Sequence, residues 1–132
     1  MTNSNFTIDR YIQQSFIKYP KMEDFLKQTQ RFRWKYRACV FSIINNETGV
    51  IYVGSSRDLA ETISLHVKKK TKTNRYIAIK QTKLFSLYIM ELLHLSAGDS
   101  FMKQREIFYF NQIPKQQRVQ LTDQTLLWSF FD

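Results

Sequence analysis

Between Glu61 and Glu91 stand Lys68, Lys69, Lys70, Lys72, Arg75, Lys80 and Lys83, with no acid among them. A second acid-free block, between Asp24 and Glu47, holds Lys27, Arg31, Arg33, Lys35 and Arg37. The chain has 20 Lys and Arg against 11 Asp and Glu, a formal charge of +9, and these two blocks hold more than half of its cations. Cations grouped in this way suit phosphate contacts and counterion release on a polyanion, whereas a merely solubilising face is the bland alternative. Trp34 and Tyr36 lie inside the first block and could stack on bases, although the 11 Phe and 7 Tyr are chiefly core material. Other chemistries are excluded more firmly. The single Cys39 forbids an internal disulfide, and with two histidines there is no Cys/His set for zinc; Cys39 reads as a small buried hydrophobe.

The elements that must position these groups are legible in the periodicity. Only three glycines occur in 132 residues, and Gly49 and Gly54 bracket one apolar segment, GVIYVG. RACVFSII (37–44), the turn NNETG and VIYVGSS together predict a hairpin, with Gly49 in the turn and Gly54 where the chain bends or something approaches its backbone. Ser55 or Ser56 is expected to cap a helix, DLAETISLHVKKK, on which Thr62 and His66 stand one turn apart. TKTN reads as a loop, RYIAIKQT as a short helix and LFSLYIMELL as a third strand. A last helix, opened by Asp99 or Ser100 and stopped by Pro114, should present Phe101, Ile107/Phe108 and Phe110/Asn111 as its apolar face, with Glu106 beside that stripe. Ahead of the hairpin, Ile8, Tyr11, Ile12 and Ser15/Phe16 share a helical face up to Pro20, and Met22, Phe25, Leu26 and Thr29 repeat the spacing.

The expected architecture is α+β: a small, largely antiparallel three-stranded sheet flanked by helices. An N-terminal helical extension covers 1–36, the central domain 37–113, and a tail, 114–132, folds back on the body. No apolar run approaches the ~18 residues of a membrane span, and MTNSNFTIDR lacks the basic start and apolar block of a secretory signal. The chain is therefore expected to be soluble and intracellular, without a membrane partner.

The order of hairpin, glycine, capped helix with a His, third strand and helix with a Glu resembles the catalytic domain of the GIY-YIG nucleases. Its second signature, Tyr-(Ile/Val)-Gly, stands here as Tyr52-Val53-Gly54, followed by a small polar pair, by Asp58-Leu59 and by His66, fourteen residues after the tyrosine. The stretch Arg105-Glu106-Ile107-Phe108-Tyr109 is similar to the segment carrying that family's metal-binding Glu. The resemblance implies that Glu106 holds one Mg²⁺ or Mn²⁺ ion on a nonbridging phosphate oxygen, a hard ion that keeps most of its waters. It implies that Tyr52 orients or deprotonates the attacking water with His66 as its hydrogen-bond partner or proton acceptor. It also implies that Gly54 leaves room for Tyr52 and the following helix to face one phosphate. Arg57, Lys68, Lys69, Lys70, Lys72 and Arg75 would contact nucleic acid, DNA rather than RNA.

The chain also departs from that pattern. Cys39-Val40-Phe41 stands where Gly-Ile-Tyr belongs, so the first tyrosine hydroxyl is missing, and Thr62 stands where the helix carries an arginine. No Asn follows Asn111. A tyrosine of pKa ~10 is a poor base at neutral pH unless nearby positive charge lowers it, which is one task of the absent arginine. Losing such a cation commonly costs ~2.7–4 kcal/mol of transition-state stabilisation. The sequence therefore leaves three functions open: a nuclease-like domain with at most reduced metal-dependent cleavage, the same fold kept as a noncatalytic module for RNA, a ribonucleoprotein or a protein partner, or a basic domain unrelated to nucleases.

Overall fold

The computed structural model describes residues 5–68 and 82–118. In chain order they form α1 (Ile8–Gln13), β1 (Ile17–Tyr19), α2 (Met22–Phe25), α3 (Gln28–Arg33), β2 (Cys39–Asn45), β3 (Ile51–Ser56), α4 (Leu59–Lys68), β4 (Phe85–Leu92) and α5 (Asp99–Phe110). The loop TKTN, the helix expected over RYIAIKQT up to its last residue, Thr82, and the tail beyond Arg118 lie outside the described residues. The strands make a four-stranded sheet in the order β1-β4-β2-β3, with every pair antiparallel.

The expected three strands are thus corrected to four. The addition is Ile17-Lys18-Tyr19, which pairs with Ile89, Tyr88 and Leu87 at the edge of β4. Three residues are too few to show an alternation, and Phe16 continues the apolar spacing of the preceding helix. That helix ends at Gln13.

The hairpin forms as its turn chemistry dictates. Asn45 Oδ1 accepts hydrogen bonds from the Glu47 and Thr48 amides at 2.9 and 3.2 Å, and the Gly49 amide donates to Asn45 O at 2.7 Å. Gly49 sits at φ +77°, a left-handed conformation that glycine adopts without steric cost.

A core lies on each face of the sheet, because strand side chains alternate. Phe41, Ile43, Tyr52, Leu87 and Ile89 pack with Leu59 and Ile63 of α4 and with Met22, Phe25 and Trp34 from the N-terminal segment. Val40, Ile44, Ile51, Val53, Tyr88 and Met90 pack with Tyr109 and Phe110 of α5 and with Tyr11 of α1. Residues from both ends of the described chain are therefore built into the cores around the hairpin. Cys39 is fully buried and its thiol pKa is pushed up to about 12 by desolvation, so it serves as a packing residue.

One irregularity matters for the polar groups. Phe41 pairs with Ile89 but Val40 pairs with Glu91, so β4 carries one extra residue there. A bulge of this kind re-aims the side chains beyond it. Strict alternation would put Glu91 with Leu87 and Ile89 on the α4 face; the bulge turns it toward α5, where it meets Arg105 and Tyr109.

Candidate active site

The α4 helix supplies His66. Leu59, Ile63 and His66 recur at helical spacing as one buried stripe, so the histidine lies on the face that the helix lays on the sheet. It is 1% exposed. Asp58, rather than Ser55 or Ser56, caps the helix: its Oδ1 accepts from the Glu61 amide at 3.1 Å, because β3 runs on through Ser56. Ser56 Oγ accepts from the Asp58 amide at 2.9 Å and shares a 2.6 Å hydrogen bond with Thr62 Oγ1. Thr62, where the resemblance calls for an arginine, thus ties the start of the helix to the end of the strand.

Tyr52 comes from β3 and is 5% exposed. Its ring meets His66 edge to face, with centroids 5.4 Å apart, and Phe41 lies 6.2 Å from Tyr52 and 6.3 Å from His66. Gly54 makes this cluster possible. It pairs with Phe41 across the hairpin, and a Cβ on it would stand 2.9 Å from Phe41 Cζ and 3.0 Å from Tyr52 Cε2. The space that the absent side chain leaves is filled by these two rings.

Glu106 arrives from the other side. On α5 the buried residues are Met102, Glu106, Tyr109 and Phe110. The expected apolar face is corrected accordingly: Phe101 and Phe108 are about half exposed. A carboxylate in the middle of the buried stripe disguises its period, and the aromatic residues on the outer face supply a competing one. Glu106 Oε1 accepts from Ser55 Oγ at 2.9 Å. Ser55 has the parity of Val53 and Ile51, so Tyr52 with His66, and Glu106 with Ser55, meet β3 from its two faces. The structure brings Tyr52 and His66 into direct contact and joins Glu106 to the same strand three positions along.

Of the expected nucleic-acid contacts, Arg57 is engaged within the fold. Its guanidinium donates to Leu95 O at 2.9 Å and to Asp99 Oδ1 at 2.7 Å, holding the β4–α5 loop to the end of β3. Lys68 closes α4; Lys69, Lys70, Lys72 and Arg75 lie outside the described residues. In the first basic block Trp34 is buried and donates from Nε1 to the Tyr19 hydroxyl at 2.9 Å, so it is core and not a stacking platform. Tyr36 is exposed. Ser55 and Ser56, which orient Glu106 and Thr62, carry no signal in the sequence beyond being a small polar pair after the glycine.

The fold and these residues together describe a small α+β domain with a four-stranded antiparallel sheet. The GIY-YIG catalytic domain model matches residues 37–118, and the chain belongs to that family. Neither a curated protein nor a solved structure matches the chain. Among the described residues, no helix is long and apolar enough to cross a membrane.

Proposed function

We propose that the chain is a GIY-YIG endonuclease-like domain that binds nucleic acid, DNA in preference to RNA, with phosphodiester cleavage that is at most reduced. The observation that carries this reading is the pairing of a retained Tyr52–His66 contact with packed substitutes at the two altered positions. The Phe41 ring is wedged over Gly54, and the Thr62 hydroxyl is spent on Ser56. Neither supplies the hydroxyl or the cation that the family pattern would place there.

The donor set suits one hard cation. Among the described residues no three His, Cys, Asp or Glu side chains gather, and Glu106 offers a single carboxylate oriented by Ser55. Mg²⁺ is commonly held by one or two carboxylates together with substrate phosphates, so Glu106 is the residue that would hold Mg²⁺ or Mn²⁺. When bound, the ion would polarise a phosphate oxygen. Tyr52 would orient the attacking water, and His66 would accept or relay its proton. The opposed approach of Tyr52 and Glu106 to β3 favours a second reading, in which the fold is a noncatalytic binding or scaffold module for RNA, a ribonucleoprotein or a protein partner.

The test separates binding from chemistry. Binding to duplex DNA should weaken steeply between ~50 and 200 mM salt; a flat response would sink a phosphate-led mode. The double change Phe41→Tyr, Thr62→Arg should raise Mn²⁺-dependent cleavage by about 100-fold or more, and adding Glu106→Gln should abolish the gain without changing DNA binding. A folded double mutant that binds DNA and cuts no better than its parent would leave the noncatalytic reading standing.

A further inference from the structure

An open pocket of about 500 Å³ lies between the segment after α3 and the first turns of α4, lined by Phe32, Lys35, Tyr36, Asp58, Glu61 and Ser64 among others. It shares none of its lining with the Tyr52, His66 and Glu106 constellation. Phe32 is 78% exposed and Tyr36 66% exposed, so two large rings of the lining face solvent. Lys35 shares that lining, with its ammonium 5.3 Å from the Tyr36 ring centroid, and its sequence neighbours Arg33 and Arg37 are exposed as well. The Arg33 and Arg37 guanidiniums pack 5.6 and 5.5 Å from the ring of the buried Trp34, which holds them at the surface. The pocket wall is tied together by the Ala60 amide of α4 donating to Trp34 O.

Tyr36 is also in a costly conformation. Its φ is +59°, the one positive φ on a non-glycine residue among the described residues. It follows the end of α3, where glycine or asparagine commonly takes the left-handed turn, and a bulky ring there is strained. The exposed ring gains little by burial in return.

We infer that this pocket takes an unstacked nucleobase of a single-stranded segment, with the neighbouring phosphates on Arg33, Lys35 and Arg37. The inference rests on the nucleic-acid reading above and adds a second contact region to it. The division of charge fixes the orientation. Asp58 and Glu61 in the lining repel a phosphate but accept from amino groups on a base edge, and Ser64 can do either. Lys35 in the lining and the exposed Arg33 and Arg37 beside it in the sequence attract the backbone and disfavour a cationic guest. Phe32 and Tyr36 offer π-faces, which every base can stack on. Bases with an exocyclic amino group should be preferred over thymine.

The full chain is titrated, by fluorescence anisotropy, with single strands of about 12 nucleotides: oligo-dC, oligo-dT and an abasic strand, and with a duplex of similar length. Oligo-dC should bind about 5- to 150-fold more tightly than the abasic strand, and more tightly than oligo-dT. Phe32→Ala and Tyr36→Asn should remove that advantage while leaving the duplex and the abasic strand within about twofold. Tyr36→Trp should retain it. Tyr36→Asn should melt no lower than the parent, since asparagine tolerates the left-handed turn, so a binding loss in this variant is not a folding loss. Equal affinity for oligo-dC and the abasic strand, with the duplex still bound, would overturn the pocket assignment and leave the nucleic-acid reading intact. Failure to bind any of these probes at low salt would overturn both. Displacement of oligo-dC by millimolar tetramethylammonium would assign the rings to a cation instead.

Discussion

On the α4 face of the sheet, Tyr52 and His66 meet ring to ring inside a packing of apolar side chains. On the α5 face, Glu91 accepts two hydrogen bonds from Arg105 at 2.9 and 2.7 Å and one from the Tyr109 hydroxyl at 2.6 Å. The first arrangement is set largely by shape, and the second by charge and hydrogen bonding. Close packing has little tolerance for added volume; an ion pair tolerates volume better and weakens where one partner loses its charge. The two faces should therefore fail under different insults.

The largest effect should come from Gly54→Ala. A methyl group 2.9 Å from Phe41 Cζ and 3.0 Å from Tyr52 Cε2 cannot be accommodated unless buried rings move. We expect a loss of about 2–3 kcal/mol, read as a lower urea midpoint at unchanged slope. Combining it with Phe41→Leu should recover about 1 kcal/mol relative to the sum of the single changes, since the two sites share one space. A Gly54→Ala protein as stable as its parent would mean that shape does not hold this face.

Glu91→Gln comes next, at about 1–2 kcal/mol at neutral pH, a charge-assisted hydrogen-bond loss discounted for partial exposure. The pH dependence gives the sharper reading. Arg105's hydrogen bonds hold the Glu91 carboxyl below its ordinary value of 4.5, outweighing the opposing effect of burial. A depressed folded pKa contributes stability that is present above the unfolded value and lost as pH falls through the folded one. The gap between parent and Glu91→Gln should therefore close on acidification below about pH 4.5. At the alkaline end, burial and then Glu91 raise Tyr109 from 10.0 to about 12. A raised pKa gives stability that is lost as pH climbs through that range, so Tyr109→Phe should flatten part of the alkaline decline. A pH-independent difference between parent and Glu91→Gln would show that the network is not electrostatic.

Much of this contrast is legible in the residues themselves, and the part that is not has identifiable causes. The hairpin, the strand at Phe85–Leu92 and the helix carrying His66 can be read because their apolar spacing and turn residues agree at each level. The Tyr52–His66 contact follows from the family resemblance and the register of those elements. Three features are not legible. The strand Ile17–Tyr19 is shorter than the window in which a period can show itself. The turning of Glu91 toward α5 depends on one extra residue in β4, and a bulge leaves no mark in the composition of LFSLYIMELL. The Met102–Glu106–Tyr109–Phe110 face of α5 is hidden because an acid occupies its centre while Phe101 and Phe108 lie outside. The role of Gly54 is obscured for a related reason: a glycine announces a close approach but not by what, and here it is Phe41 and Tyr52 that approach.

Thr62→Val should have the smallest effect, and it sharpens the comparison by probing the polar link on the face otherwise held by packing. Valine keeps the branched shape of threonine and removes only the hydroxyl that shares a 2.6 Å hydrogen bond with Ser56. Ser56 Oγ keeps the Asp58 amide as a donor at 2.9 Å, and Asp58 still caps α4 through the Glu61 amide at 3.1 Å. The loss should therefore stay at about 0.5–1.5 kcal/mol, the net worth of one hydrogen bond. Urea unfolding of the parent, Thr62→Val and Thr62→Ser settles it, with Thr62→Ser expected to hold most of the parent's stability. The result bears on the activity test as well. If Thr62→Val is nearly as stable as the parent and cuts no better, a gain on Thr62→Arg can be assigned to the guanidinium and not to release of the strand from the helix. A loss above about 2 kcal/mol, beyond what one such bond supplies, would instead make this hydroxyl a structural keystone of the α4 face, and packing would no longer account for how that face is held.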